Sequence, residues 1–253
     1  MTDQEVPSDL GRLWRLSTSS RLGRPAELDV DRVVRAAVDL ADRDGLDGVT
    51  LQKVAQPLGV TKMSLYRHVG SKDELFELMA DHAAGPAPDL DANLGWRDGV
   101  RQWASAIRAR YAEHPWMTDV PTSGPPRGPN AISWMDALLR VLRDTGLDLG
   151  TQVGVLNVVS GQVRHAIVLA RQLEEGRRGT GLSQAEVEQN YGRTLAALVA
   201  PNRFPDAARL FAADVFEPHS EQLAEAPADQ DFTFGLELIL DGIAAAIDRT
   251  GAD

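Results

Sequence analysis

The sequence predicts an all-α protein, with a small N-terminal helix-turn-helix module of three helices and a larger helical body. Three observations carry that prediction. Apolar residues recur at helical spacing in segment after segment. No run alternates apolar and polar residues as a half-buried strand would. One stretch, Thr50 to Leu75, sets two short helical patterns on either side of a glycine, as a tight helical turn does.

Residues 1–27 hold Pro7, Pro25 and a Ser-Thr run, with Arg12, Arg15, Arg21 and Arg24 spread through them. They read as a flexible arginine-bearing arm with one short helical turn around Leu10 to Leu16. Such an arm can lie along a minor groove, and a tail that touches nothing fits the same residues. From Asp29 to Asp44, Val30, Val33, Val34, Ala37, Val38 and Ala41 form one apolar stripe, which Gly45 ends. Thr50 is a natural N-cap for the next helix, where Leu51, Val54, Ala55 and Leu58 recur. Pro57 lacks a backbone donor, so a shortened or 3₁₀-like last turn is expected there. Gly59 supplies the positive φ of the turn, Ala55 lets the following helix approach, and Val60, Leu65 and Val69 fill the seam.

That following helix carries Lys62, Ser64, Tyr66, Arg67 and His68, and no acid occurs between Val49 and Lys72. A helix with donors and no carboxylates suits an acidic groove, although an ordinary hairpin with a solvated basic face has the same composition. Ser71 and Glu74 have capping-box spacing for a helix from Lys72 to about Ala84, and Gly85-Pro86-Ala87-Pro88 marks the clearest domain boundary. The chain is expected to divide into the arm (1–27), the helix-turn-helix module (28–84) and the body (90–253).

Beyond residue 90 only helical signals appear. Trp96 to Glu113 is amphipathic through Val100, Trp103, Ala106, Ile107 and Tyr111, and His114-Pro115-Trp116-Met117 leads into a Pro- and Gly-rich loop. Helices are expected over Ala131–Asp144, Leu149 to about Glu175, Ser183–Val199, Pro205 or Asp206 to Phe216, and Phe232–Arg249. Gly154 and Gly161, like Gly235 and Gly242, lie seven apart and give two helices side-chain-free spots for close approach, within one subunit or across a dimer.

The net charge of −11 is unevenly placed. Residues 10–72 hold 11 Lys and Arg against 7 Asp and Glu, a net +4, whereas residues 73–253 carry −12. A positive module on an acidic body fits a DNA reader whose body must not also adhere to DNA. Zero cysteines exclude disulfides and thiolate chemistry, and the absence of an apolar signal region makes a cytoplasmic location the expectation. The five histidines show no metal spacing, and no Walker loop or Gly-x-Ser-x-Gly elbow occurs, so no enzyme, cofactor or metal is expected. A small-molecule pocket is expected instead. Trp103, Trp116, Met117, Asn130, Trp134, Met135 and Leu138 supply apolar surface, and Asn157, Gly161, Gln162 and His165 mark the long helix that faces it.

The block Ala55, Gly59, Val60, Leu65, Tyr66, His68, Lys72 and Leu75 resembles the DNA-binding domain of the tetracycline-repressor (TetR) family of one-component regulators, over roughly residues 28–82. The body is similar to that family's tetracycline-binding type through His114-Pro115-Trp116, Gly128-Pro129-Asn130, Trp134 and Gly146-Leu147. The resemblance implies a homodimer paired through its last long helices and released from a palindromic operator by an effector. It also implies base contacts from Thr61, Lys62, Met63 and Ser64. Phosphate contacts would come from Thr50, Gln52, Tyr66, His68 and Lys72, with Arg67 on the same outer face. Tetracycline repressors hold drug and magnesium through a histidine and a glutamate that have no counterpart here, where the long helix has Val168-Leu169, so that ligand is not expected. An activator of the same fold, or a small-molecule-binding protein or enzyme that uses the pocket alone, stays open.

Overall fold

The computed structural model describes residues 6–16, 29–91, 93–122, 124–217 and 227–251, and every regular element among them is helical. Arg21 and Arg24 of the expected arm lie outside these residues. The described part of that arm is ordered into helix α1 (Ser8–Leu13), because Leu13, only 3% exposed, joins a core and Arg12 pairs with Glu74.

Helix α2 (Val30–Gly48) starts at Asp29, whose side chain accepts from Arg32 N. It turns at Gly45, where φ is 72°, three residues before it ends. Thr50 caps α3 (Leu51–Leu58), and Thr61 caps α4 (Lys62–Val69), each accepting the backbone N–H three residues on at 3.2 Å. The α-helix continues through Pro57 to Leu58, so the expected shortening does not occur. Only the Gly59 N–H, shared between the Ala55 and Gln56 carbonyls, shows the tightening. Ser71 caps α5 (Lys72–Ala84) at Glu74 N, but the Glu74 carboxylate turns to Arg12, and the capping box is left half made.

Val34, Val54, Leu65, Val69, Leu75 and Met79 are essentially fully buried where α2, α3, α4 and α5 meet. The body continues with α6 (Trp96–Glu113), a 3₁₀ turn (Pro115–Asp119), α7 (Pro129–Leu142), α8 (Leu149–Arg177), α9 (Gln184–Leu198), α10 (Pro205–Phe211) and α11 (Pro227–Thr250). Helix α11 begins five residues before the expected Phe232.

The chain packs as two units. One comprises residues 1–167 with 239–253, so α5, α6 and α7 belong to the same packing unit even though Gly85 and the prolines break the helix between them. Arg110 of α6 donates to the Ala83 carbonyl at 2.6 Å, and Trp134 of α7 to the Gly85 carbonyl at 2.9 Å. The other unit, residues 168–238, is held by Tyr191, Phe211 and Phe216, whose ring centroids lie 5.5–5.6 Å apart.

Candidate DNA interface and effector cavity

Helix α4 is divided by its own periodicity. Leu65 and Val69, four apart, are fully buried, which leaves Lys62, Met63, Tyr66 and Arg67 to solvent. Met63 is 71% exposed, a large apolar side chain turned to solvent. The Lys62 ammonium lies 5.9 Å from the Tyr66 ring centroid, and Lys72 sits 5.0 Å from the ring of Phe76. Ser64 and His68 are half-buried at the edges of this face, and Thr50, Gln52 and Thr61 are exposed beside it. The hydroxyls of Thr50 and Thr61 accept the capping N–H and keep their own protons, which a phosphate oxygen could accept. All ten residues expected to meet DNA therefore lie in or at the ends of α3, α4 and α5.

A cavity of about 790 Å³ opens in the first unit, walled by α5, loop residues 120–122 and 124–128, and α6, α7 and α8. Of the residues expected to line it, Trp103, Met117, Trp134, Met135, Asn157 and Gly161 do so. Five others do not. Trp116 lies in the helix-turn-helix core instead, since the turn begun by Pro115 folds back onto α2, where the indole donates to Asp42 Oδ1 at 2.6 Å. The Asn130 amide donates to the Asp81 carbonyl at 2.9 Å, and Leu138 is fully buried on the core face of α7. Gln162 and His165 sit one position past the facing residues Gly161 and Arg164, about 100° further round the helix.

Sequence reasoning missed the α5 wall, made of Phe76, Glu77, Ala80 and Asp81, together with Ile107 and Tyr111, while Arg164, a polar residue of the long helix, also lines the cavity. Arg164 is held by the Thr118 carbonyl at 2.6 Å and Thr122 Oγ1 at 3.1 Å. Burial raises the pKa of Asp81 above the usual carboxylate value, although the Ala131 N–H donates to it at 3.0 Å. Burial likewise raises Tyr111, which keeps its phenol neutral.

Both tryptophan N–H groups on the wall are already bonded, Trp103 to the Trp134 carbonyl at 2.8 Å and Trp134 to the Gly85 carbonyl. The two rings meet edge to face at 5.8 Å. The tryptophans thus offer a ligand apolar ring surface, while Asn157 and Ser160 on α8 offer polar groups. Among the described residues no group of three or more His, Asp or Glu side chains comes together to hold a metal.

Residues 33–79 match the family model described as bacterial regulatory proteins, tetR family. Residues 87–247 match that of the tetracyclin repressor-like C-terminal domain. The HTH-type transcriptional repressor DrrR1 of Streptomyces coeruleorubidus is 34% identical over 246 residues, which span 96% of this chain and 87% of the relative. The class A tetracycline repressor from transposon 1721, in Escherichia coli, is 28% identical over 86% of this chain and 91% of its own. Among solved structures, apo ActR from Streptomyces coelicolor superposes with a TM-score of 0.69 at 24% identity, covering 89% of this chain and 99% of ActR. ActR in complex with actinorhodin gives 0.69 at 25%, covering 88% and 98%.

Proposed function

Because the chain belongs to the TetR family of bacterial transcriptional regulators, we propose that it is a homodimeric repressor released from a palindromic operator by a small-molecule effector. One observation carries the proposal, the double role of α5. Leu75, Leu78 and Met79 of this helix pack in the core that positions α4, while Phe76, Glu77, Ala80 and Asp81 wall the cavity. A ligand that shifts this wall must also shift the base on which the reading helix stands.

Lys62, Met63 and Ser64, with Thr61 at the cap, would meet base edges in the major groove, while Thr50, Gln52, Tyr66, His68 and Lys72 hold phosphates. Arg67 extends the same cationic face. The effector would be largely apolar, with ring surface for Trp103, Trp134 and Phe76 and a few oxygens or nitrogens for Asn157 and Ser160. The volume of about 790 Å³ lies in the range of drug-sized sites. Support for a second copy comes from α8, which has a mean hydropathy of 1.4 over an 18-residue window of which only 22% is buried in one chain. A partner helix would cover what a single chain leaves open.

The test is a gel-shift titration on the DNA upstream of the gene itself and on duplexes selected from random sequence. Saturable binding that survives competitor DNA, and falls steeply with added salt, is expected. Failure to enrich any duplex would refute the operator-binding reading.

A further inference from the structure

Residues 8–16 precede both segments that match the family models, yet α1 is tied to several parts of the first unit. At its buried end Leu13 enters the helix-turn-helix core and Leu10 packs on the same cluster. Arg12 pairs with Glu74 of α5, and Arg15 Nε donates to Asp31 of α2 at 2.7 Å. On the other side Asp9 Oδ2 accepts from Arg127 Nη1 at 2.9 Å, and Trp14 Nε1 donates to the Arg127 carbonyl at 2.8 Å. Arg127 is itself a wall residue of the cavity, and its guanidinium also forks onto Glu77 of α5 at 2.9 and 2.6 Å. This short helix and the two residues that follow it thus grip the rim of the cavity and the base of the DNA-reading module together.

We propose that α1 is an intramolecular clip that couples the cavity rim at 124–128 to the helix-turn-helix module. It would transmit occupancy of either site to the other, and in this it rests on the operator-binding reading above. The Arg127 and Asp9 side chains are 40% and 30% exposed, so their ion pair is individually weak. Weak outer bonds on a helix anchored by a buried leucine let the rim go without unfolding the module. Reciprocity then requires operator DNA to steady the rim as much as rim occupancy disturbs DNA binding.

Hydrogen exchange on the full chain, with and without a saturating selected duplex, tests this without an effector. The amides of Ala131 and Ile132 are the reporters, since they donate to the Asp81 carboxylate at 3.0 Å and the Gly128 carbonyl at 2.9 Å and are freed when the rim lifts. DNA should slow exchange in α4 and, through α1, slow these two amides about fivefold or more. The double variant Asp9→Asn, Trp14→Phe, altered at a half-buried and an exposed position outside the core, should keep the protection of α4 and lose that of the rim. Leu13→Ala, which loosens the other end of the clip, should lose it too. Equal rim protection in all three chains, or none in the native chain while α4 is protected, overturns the clip. A native chain whose α4 is not protected overturns the operator reading and the clip with it.

Discussion

At the scale of single residues, Lys62 and Tyr66 occupy one exposed face of α4, yet they would answer different questions about DNA. On the proposed reading, a lysine at the helix start would reach base edges, whereas an aromatic hydroxyl a turn later would meet backbone. Lys62→Ala should cost about 1–3 kcal/mol on the matched operator and relax preference at particular base pairs. Tyr66→Ala should weaken every duplex alike. Equal losses across a panel of operator variants for both substitutions would refute this division of roles. His82 makes a second prediction, about stability. Burial, with Arg15 and Arg35 adding to it and Asp31 opposing, lowers its pKa below the ordinary value of 6.5. The folded chain binds that proton less readily than the unfolded one, so the stability involved is present above 6.5 and is lost as pH falls below it. Asp81, raised by burial, acts in the opposite sense, in a lower window above the carboxylate range. Urea midpoints near pH 8 and near pH 5.5 should therefore differ less in His82→Gln than in the native chain.

At the scale of elements, α3 and its turn predict two substitutions of opposite sign. Pro57 sits inside a helix that continues past it, with no N–H to offer Lys53, so Pro57→Ala should stabilise the chain by about 1 kcal/mol or more. Gly59, at φ 67° and ψ 25°, has open space where a Cβ would go, so the cost of Gly59→Ala is conformational, about 1–2 kcal/mol. Melting temperatures moving in the same direction for the two would show that the turn is not held as described. The same elements show what the sequence made legible. Thr50, Ser71 and Ser183 each cap the helix expected to follow, because a cap is a local bond between neighbours in the chain. The cavity was less legible, because lining is decided by which face of an element meets a distant one. Phe76, Glu77 and Asp81 read as an ordinary amphipathic turn of α5. The aromatic content around Trp116 was plain, but not that Pro115 would fold the indole back onto Asp42.

At the scale of the whole molecule, assembly is the remaining question, and α8 and α11 frame it. Leu149, Val153 and Val158 on α8 are 73%, 42% and 55% exposed, and Phe234 and Leu238 on α11 are 68% and 58% exposed. Among the described residues, a Cβ placed on Gly154 or Gly242 would meet nothing within 4 Å. Close packing inside one subunit therefore does not account for these glycines, whose presence in a helix costs about 1 kcal/mol each relative to alanine. A partner helix seated against them, as in the proposed homodimer, would. Gly154→Leu should consequently leave the isolated subunit folded, with unchanged helical circular dichroism, since its side chain enters open space there. In the dimer the same side chain would enter the seam, where overpacking costs about 1–3 kcal/mol and is incurred in both copies under twofold symmetry. The dimer dissociation constant should rise at least about tenfold, and operator affinity should fall with it, because both reading helices must be held together to span two half-sites. Sedimentation equilibrium run beside the gel shift separates the possibilities. A variant that stays dimeric with native operator affinity would move the interface off this face of α8, whereas one that becomes monomeric yet binds DNA as before would break the link between pairing and recognition.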